Sequence, residues 1–331
     1  MLNIHKVAEE AGVSVATVSR VINNQGTVAK KTQEKVEKVI SRLNYEPNML
    51  GRNLRNSESR LIMVLVPTIS NPFYAQIVQG IEDIVRKENY NVFLCTTDSE
   101  PEREKVFLDY VRQKLTDGVI FMDPAVEVEM LQDLANRYPV IQCCEYNEDL
   151  NIPYISIDDT QASYKAVKHL ITMGHEKIAI INSDETFQYA RNRKKGYLKA
   201  LEEYGLPIKD EWILKNSELN FEAGQNSMRK LLRADDKPTA IFAVSDILAI
   251  GALKRMNEEG LQAPEDIAVV GFDNIPFASM TNPALTTIAQ PMYEIGSQAA
   301  KMLFQKINTP DEPVSSTLLD NELIIRESTL G

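Results

Sequence analysis

The sequence predicts an N-terminal all-α domain with a helix-turn-helix, followed by an α/β body of two doubly wound lobes, each built on a parallel sheet. Apolar residues recur at helical spacing through residues 4–43, which predicts three short helices. From residue 61 onward, short apolar runs alternate with helical segments, as in chains of parallel βα units. These units are too numerous for one ordinary sheet, and 331 residues are enough for two or three domains.

The first helix is predicted from an apolar stripe at positions i, i+3, i+4 and i+7. The stripe consists of Ile4, Val7, Ala8 and Ala11. Asn3 is a residue type that caps helix starts. Gly12 stands where this helix must end, and glycine adopts the left-handed conformation of such a position at the least cost.

The second helix is predicted to follow Ser14, with Val18, Val21 and Ile22 on its inner face. Its outer face carries short polar groups, two small apolar residues and one arginine, whereas a merely solvated face more often carries lysine and glutamate. Hydroxyls suit phosphate oxygens, a guanidinium suits a guanine edge, and small apolar groups suit base methyls. The predicted DNA contacts on this face are Ser14, Val15, Ala16, Thr17, Ser19, Arg20 and Asn23. The alternative is a pair of ordinary surface helices.

A third helix and a short hinge complete the N-terminal region. The third helix has its apolar stripe at Val36, Val39, Ile40 and Leu43. Pro47 is well placed to open a helix of two turns, which is too short to be stable alone in water. Leu54 suits a minor-groove wedge, with Arg52 and Arg55 on the flanking phosphates. With Asn48, these residues are further predicted DNA contacts, and the alternative is a linker that carries them by chance.

The net charge of −11 is divided unevenly along the chain. Residues 1–60 hold ten Lys or Arg and six Asp or Glu, a net charge of +4, so the remainder carries −15. A basic N-terminal domain on an acidic body indicates that only the former meets nucleic acid. Because a domain at +4 makes few phosphate contacts, we expect two copies to be needed for useful affinity.

The body is predicted to alternate strands and helices, and the continuous apolar run at Leu61–Val66 is typical of a buried parallel strand. The predicted strands are 61–66, 90–96, 118–121, 177–181, 240–244 and 267–271. The predicted helices are 72–87, 101–113, 159–172, 189–204 and 246–258. A ligand between two such lobes is expected at the carboxyl ends of the strands.

Candidate ligand contacts come from residues at which strands give way to helices, and from one helix start. Carboxylates and guanidinium groups bind hydroxyls in a bidentate manner, and rings stack on a sugar or base, so these types indicate a small polyhydroxylated ligand. The candidates are Ser70, Phe73, Tyr74, Arg191, Arg193, Phe221, Ser245, Asp246 and Asp273. Asp246 can equally cap the helix that follows it, and Phe73 and Phe221 can instead belong to the core.

The sequence lacks the motifs of common catalytic, cofactor and metal sites. It has no G-x-G-x-x-G, G-x-x-x-x-G-K, G-x-S-x-G, H-E-x-x-H or C-x-x-C. Cys95, Cys143 and Cys144 are too few and unpatterned for a disulfide or metal set. We therefore expect a binding module and not an enzyme, with no cofactor and no metal. Neither a signal peptide nor a membrane-spanning run is visible, which predicts a cytoplasmic protein.

The N-terminal residues carry a resemblance to a known family. Residues 7–23, followed by Leu-Asn-Tyr-Glu-Pro-Asn at 43–48, resemble the DNA-binding head and hinge of the lactose repressor (LacI/GalR) family. The similarity continues in order along essentially the whole chain. Its further segments are 70–74, 117–120, 174–175, 238–241, 245–246, 271–274, 285–288 and 290–291.

The resemblance implies a body like that of the type I periplasmic sugar-binding proteins. In such a body the chain passes between the two lobes three times, here near 158–162, 289–292 and 320–323. It implies Arg193 and Asp273 as partners of ligand hydroxyls, Phe221 as a stacking ring and Gln290 at a crossing. It also implies a homodimeric repressor that binds a pseudo-palindromic double-stranded DNA operator and is controlled by a small molecule between the lobes.

Several positions depart from the family pattern, and the departure at Gly51 concerns the stability of the hinge. Gly51 stands where the family usually has alanine in the hinge helix. Glycine weakens a helix by roughly 0.5–1 kcal/mol, so this hinge is expected to depend more on DNA or effector.

Within the family, the C-terminal stretches 285–296 and 318–326 are similar to the cytidine repressor branch and to the catabolite control proteins. A nucleoside or sugar effector is therefore the first choice, and a protein corepressor the second. A sugar-binding transport protein is the third, against which residues 1–60 argue. The predicted domains are a head at 1–46, a hinge at 47–60 and a body at 61–331, with lobe 1 at about 61–159 and 292–320 and lobe 2 at about 162–289 and 323–331.

Overall fold

The computed structural model describes residues 3–22, 28–45 and 58–330, which fall into two compact units divided between Ser59 and Arg60. The rest of the chain includes most of the predicted hinge. Five predicted DNA contacts lie outside the described residues and stay predictions: Asn23, Asn48, Arg52, Leu54 and Arg55.

The N-terminal unit is a three-helix domain of α1 (Ile4–Ala11), α2 (Val15–Ile22) and α3 (Lys30–Leu43). The side chain of Asn3 accepts a hydrogen bond from the backbone N–H of Lys6 at 3.0 Å, which caps α1. Gly12 ends α1 with a left-handed φ of 59°, as the sequence predicts. The buried core of the domain is Val7, Ala8, Ala11, Val18, Val21, Val36 and Val39.

The first sheet of the body has six strands, which are all parallel. In chain order they are β1 (Leu61–Val66), β2 (Asn91–Thr96), β3 (Gly118–Phe121), β4 (Val140–Cys143), β5 (Tyr154–Ile157) and β11 (Thr317–Leu319), and their spatial order is β11-β5-β4-β3-β1-β2. The helices packed with this sheet are α4 (Pro72–Lys87), α5 (Pro101–Arg112), α6 (Val128–Ala135) and α11 (Met292–Asn308).

The second sheet also has six strands, in the order β12-β10-β9-β8-β6-β7, and only β12 is antiparallel to its neighbour. In chain order they are β6 (Ile178–Ile181), β7 (Ile213–Leu214), β8 (Ala240–Ala243), β9 (Ala268–Asp273), β10 (Thr286–Ala289) and β12 (Glu322–Ile324). Its helices are α7 (Asp159–Thr172), α8 (Gln188–Glu203), α9 (Phe221–Leu232) and α10 (Asp246–Glu258). Short 3₁₀ turns occur at Asp210–Trp212 and Pro276–Ser279.

The chain passes between the two sheets at three places. It leaves the first sheet after β5, returns after β10, and leaves again between β11 and β12. The carboxyl ends of β5, β10 and β11 are therefore joined by short connections to the opposite lobe. A ligand site at these strand ends is built from both sheets.

Close helix packing fixes the elements that carry the site. A Cβ atom at Gly296 of α11 would lie 2.0 Å from the carbonyl oxygen of Ile77 in α4, so only glycine allows this approach. The contact holds α4 closely against α11, and α4 begins shortly after the carboxyl end of β1. Among the described helices, none combines the length and the apolar character needed to cross a membrane.

The fold class is confirmed, and the structure adds elements that the sequence pattern does not reveal. β7, β11 and β12 have only two or three residues, which is too short for a strand period to show. β4 and β5 have four residues each, and the segment that connects them, residues 144–153, contains no helix. Their pairing is decided by the neighbouring strands and not by local sequence.

Candidate functional site

A cavity lies between the carboxyl ends of the strands of the two sheets. The space between its walls is about 480 Å³, including the part that is open to solvent. One wall is formed by residues that follow β1, β3 and β4, together with one residue of β5. The other wall is formed by residues of α7 and α8, the end of β9 and the segment after β10.

Arg193 of α8 is buried in the second wall and is held by several contacts. Its Nε donates a hydrogen bond to Asp159 Oδ1 at 2.7 Å, and its Nη1 donates to the carbonyl oxygen of Val244 at 2.6 Å. Its guanidinium carbon lies 3.7 Å from the centroid of the Phe272 ring. Burial opposes the charge, but attraction by Asp159 and Asp273 outweighs this and raises the pKa of Arg193 above its ordinary value.

Helix packing brings Arg193 to Asp159. A Cβ atom at Gly196 would lie 2.3 Å from the carbonyl oxygen of Thr160, so α8 packs directly on the start of α7. Arg193 lies one turn before Gly196 on the same face, and Asp159 is the first residue of α7.

Asp273 ends β9 and is held in an unusual conformation. Its φ of 117° is one that L-residues rarely adopt. Its Oδ2 accepts a hydrogen bond from Ser245 Oγ and its Oδ1 accepts one from Gln290 Nε2, both at 2.8 Å. Burial raises the pKa of Asp273 to about 6, although Arg193 opposes this. Backbone strain at a buried, hydrogen-bonded carboxylate is typical of a functional site.

Aromatic rings complete both walls. Asn71 caps α4 by accepting a hydrogen bond from the backbone N–H of Phe73 at 3.1 Å, and this places Phe73 and Tyr74 at the cavity. Their ring centroids are 5.2 Å apart in an edge-to-face arrangement. On the opposite wall the ring of Tyr189 lies 5.0 Å from the guanidinium carbon of Arg193.

Two further carboxylates belong to the first wall. Asp123 follows β3 and accepts a hydrogen bond from Ser99 Oγ. Glu145 follows β4 and reaches across to the start of α8, where it accepts the backbone N–H groups of Gln188 and of Tyr189, the latter at 3.1 Å. A helix N-terminus favours such a carboxylate. Burial nevertheless raises the pKa of Asp123 to about 6 and that of Glu145 to about 7.

Five of the predicted ligand contacts lie together at this cavity: Phe73, Tyr74, Arg193, Asp273 and Gln290. They come from four separate segments of the chain. Ser245 does not line the cavity, but its hydroxyl holds Asp273 from behind.

The structure corrects the prediction for Asp246. This residue is fully buried behind the cavity, and both of its carboxylate oxygens are occupied. Oδ1 accepts the hydroxyl of Thr287 at 2.6 Å and Oδ2 accepts the backbone N–H of Ile275 at 2.9 Å. Burial raises its pKa well above the ordinary value, and the charge of Asp273 adds to this. Asp246 therefore ties β10 and the segment after β9 to the start of α10.

Three other candidates also lie outside the cavity. Ser70 is exposed and its hydroxyl is 2.8 Å from that of Thr68. Arg191 is exposed and donates to the carbonyl oxygen of Glu185 at 2.8 Å, because it lies on the outer face of α8. Phe221 starts α9 with 41% of its surface exposed and belongs neither to the core nor to the cavity wall.

Several lining residues were not predicted. They are Asn71, Met122, Asp123, Cys144, Glu145, Ser156, Asp159, Tyr189 and Leu219. Asp123 follows the predicted strand 118–121 at the same distance as Asp273 follows the predicted strand 267–271, so the rule of strand ends applied evenly would have found it. Glu145 follows a strand that was not predicted. Tyr189 reaches the cavity only because α8 starts there.

The arrangement is suited to binding a small polyhydroxylated molecule. The walls offer carboxylate acceptors, a guanidinium, an amide and aromatic rings within one enclosed space. The thiol of Cys144 lies 3.9 Å from that of Cys143, and this hydrogen bond, together with burial, raises the pKa of Cys144 well above its ordinary value. A thiol that stays protonated is a poor nucleophile.

The outer face of α2 carries the predicted DNA contacts that fall within the described residues. Ser14, Ala16 and Arg20 are exposed, and Thr17 is half-buried. Ser14 Oγ accepts the backbone N–H of Thr17 at 3.2 Å, which caps the helix. Val15 is half-buried against the core of the domain, and Ser19 is half-buried as well.

Comparisons with known proteins relate both the N-terminal domain and the body to one family. Residues 3–48 match the family "Bacterial regulatory proteins, lacI family", and residues 59–327 match "Periplasmic binding proteins and sugar binding domain of LacI family". Catabolite control protein A of Priestia megaterium is 37% identical over 99% of this chain and 99% of its own. The HTH-type transcriptional repressor CytR of Escherichia coli (strain K12) is 36% identical over 98% of this chain and 95% of its own.

A solved structure agrees with these relatives. The chain is similar to that of the lac repressor dimer bound to operator and the anti-inducer ONPF, with a TM-score of 0.86 and 27% identity over 100% of this chain and 99% of that one. The resemblance expected from the sequence is confirmed. The protein belongs to the LacI family of bacterial DNA-binding transcriptional regulators.

Proposed function

We propose that this protein is a repressor that binds a pseudo-palindromic operator as a homodimer and is controlled by a sugar or nucleoside bound between its lobes. The observation that supports this most directly is the cavity whose two walls come from different sheets. A ligand that bridges the walls changes the preferred angle between the lobes. It therefore shifts a conformational equilibrium by the difference in its affinity for two states.

Within this proposal the ligand is held by Phe73, Tyr74, Arg193, Asp273 and Gln290. Arg193 and Asp273 serve as partners of ligand hydroxyls, since each is already oriented by hydrogen bonds. The rings of Phe73 and Tyr74 pack on the face of the sugar or base. The protein needs no catalytic step in this role.

The proposed DNA contacts of the described residues are Ser14, Val15, Ala16, Thr17, Ser19 and Arg20. Arg20 is the one long side chain of this group and is exposed. It is the residue best suited to read a guanine edge. Because a repressor must reach its operator, the proposal also places the protein in the cytoplasm, where the DNA lies.

The DNA part of the proposal is tested with the full chain. Duplexes enriched from a random-sequence pool are measured by fluorescence anisotropy across a salt series. We expect Arg20→Ala to weaken binding about tenfold to a hundredfold and to relax preference at one base pair of each half-site. Arg42→Ala, which removes the ion pair between α3 and Glu10, is the control and keeps the preference. Failure of the pool to converge on a two-fold symmetric sequence would refute operator recognition.

The ligand part is tested by a thermal-shift screen of sugars and nucleosides. A ligand at 100 times its Kd stabilises the body by about 2.7 kcal/mol. We expect Asp273→Ala to abolish the shift produced by the best compound, while Glu148→Ala, an exposed change in the loop after β4, leaves it intact. A screen without any shift contradicts control by a small molecule and favours a protein corepressor.

A further inference from the structure

Two buried carboxyl oxygens near the cavity have no hydrogen-bond partner among the described residues. They are Asp123 Oδ1 and Glu104 Oε1. Glu104 lies on α5, is fully buried, and uses its other oxygen to accept the backbone N–H of Ala125 at 2.7 Å. Asp123 lines the cavity and uses its other oxygen for Ser99. The two carboxyls are close enough for the charge of Asp123 to act on Glu104.

No cation of the described chain neutralises this pair. The ion pairs of the body include neither Asp123 nor Glu104, and the neighbouring Arg103 pairs with Asp98 instead. An isolated carboxyl group of this kind is costly to bury. The fold gains nothing from Asp123 Oδ1 unless another molecule donates to it.

The other carboxylates of the cavity are already engaged. Glu145 accepts two backbone N–H groups of α8. Asp159 accepts from Arg193, and Asp273 accepts from Ser245 and Gln290. With Asp123, the cavity is therefore lined by four carboxylates and by one guanidinium, that of Arg193. Of the buried oxygens of these carboxylates, Asp123 Oδ1 is the one without a hydrogen-bond partner among the described residues.

We propose that Asp123 is a specificity-determining residue that accepts a hydrogen bond from the ligand, and that the cavity selects an uncharged or ammonium-bearing polyhydroxylated ligand over a phosphorylated or carboxylated one. The inference rests on the proposed function, because it concerns the same cavity. A hydroxyl or amino group satisfies Asp123 Oδ1. A phosphate or carboxylate offers no donor and meets the negative charge of Asp123 in a space where little water screens it.

The first test compares ligands that differ only in charge, by calorimetry on the full chain at pH 7.5. The probes are glucosamine, glucose and glucose 6-phosphate in one set, and cytidine and cytidine 5′-monophosphate in another. In the set that binds, we expect the anionic member to bind at least about tenfold more weakly than its uncharged counterpart. An anionic member that binds as tightly or more tightly overturns the inference and leaves the proposed function standing. If the thermal-shift screen and both sets show no binding, the proposed function fails and this inference fails with it.

The second test uses Asp123→Asn, with Asp149→Asn as an exposed control in the same lobe. The asparagine retains an acceptor for Ser99 but removes the charge. We expect the ratio of affinities between uncharged and anionic ligand to fall about tenfold or more in Asp123→Asn and to stay unchanged in the control.

The thermal midpoint without ligand separates this role from a structural one. A carboxylate kept for a ligand is not needed by the fold, so Asp123→Asn is expected to melt at the same temperature as the unmodified protein or higher. A lower midpoint with an unchanged affinity ratio would show that Asp123 serves the fold alone.

Discussion

Glu145 provides the sharpest prediction, because it joins the lobes without a ligand. Its carboxylate crosses from the first wall to the N-terminus of α8 and accepts the N–H groups of Gln188 and Tyr189. The N-cap residue of α8 is Phe187, whose side chain cannot accept a hydrogen bond. Glu145 thus caps this helix from the opposite lobe, and we expect the contact to break when the lobes open.

The magnitude follows from the raised pKa of Glu145. Burial raises it from about 4.5 to about 7, and the charges of Asp123 and Asp159 add to this while the two N–H groups oppose it. Each pKa unit corresponds to about 1.4 kcal/mol, so closing the lobes on an ionised Glu145 costs about 3 kcal/mol more than closing them on a neutral one. The closed state takes up a proton, and closure is therefore favoured as the pH falls from 8 through 7 towards 5.

Two substitutions separate the charge from the hydrogen bonds. Glu145→Gln keeps one acceptor and removes the charge, so we expect it to tighten ligand binding at pH 8 by up to about a hundredfold and to remove the pH dependence between pH 7 and 8. Asp123 and Asp273, whose pKa values are raised to about 6, still titrate at lower pH. Glu145→Ala removes both acceptors and should bind about fivefold more weakly than the glutamine variant, because a lost N-cap costs about 1 kcal/mol.

The assay is ligand affinity by calorimetry at pH 5.5, 7 and 8, with small-angle scattering to report lobe closure. Glu148→Ala serves as the exposed control in the same loop. Two results would refute the inference that Glu145 takes up a proton when the lobes close. One is weaker binding by Glu145→Gln than by the unmodified protein at pH 8, and the other is the same pH dependence in both proteins.

Three other predictions concern stability. Asp246→Ala strands the hydroxyl of Thr287 and the N–H of Ile275, so urea unfolding should show the body destabilised by about 2–4 kcal/mol; unchanged stability would contradict the structural role of Asp246. Gly12→Ala forces a side chain into a φ of 59° and should destabilise the N-terminal domain by about 1 kcal/mol, measured by hydrogen exchange of its core amides; unaltered exchange would contradict this. Burial raises the pKa of Glu104 from about 4.5 to about 7, so its contribution to stability is complete below pH 4.5 and is lost as the pH rises through 7. As the pH rises from 4.5 to 7, the free energy of unfolding of the unmodified protein should fall by about 3 kcal/mol more than that of Glu104→Gln. Parallel pH profiles of the two proteins would contradict this.

The N-terminal domain was predicted almost completely from its sequence. The stripe from Ile4 to Ala11, the left-handed Gly12 and the cap at Ser14 are each set by residues within a few positions of one another. Local spacing and turn chemistry are sufficient in such a case, because the domain buries one small core from three adjacent helices.

The cavity was predicted only in part. Strand ends indicated Phe73, Tyr74, Arg193 and Asp273, since the edge of a parallel sheet is where side chains meet a ligand. The same rule offered Asp246 as a ligand contact or, equally, as a helix cap, and the structure places it behind the cavity and not among the lining residues. Its direction depends on Thr287 and Ile275, which lie 41 and 29 residues further along the chain.

The amino-acid sequence was sufficient to predict a helical head before an α/β body, the charge division between them, and several of the side chains at the cavity. Those properties follow from local period, composition and residue type. Which carboxylates are satisfied by hydrogen bonds, and which oxygen lacks a partner among the described residues, is evident only in the folded chain. Asp273, Asp246 and Asp123 all lie at or shortly after the ends of strands of the body, yet their partners come from other segments of the chain. Asp273 is held at the cavity by Ser245 and Gln290, Asp246 ties the fold together, and Asp123 has an oxygen without a partner among the described residues. Burial and hydrogen bonding depend on how distant segments of the chain pack together around the cavity, so no local sequence pattern predicts them.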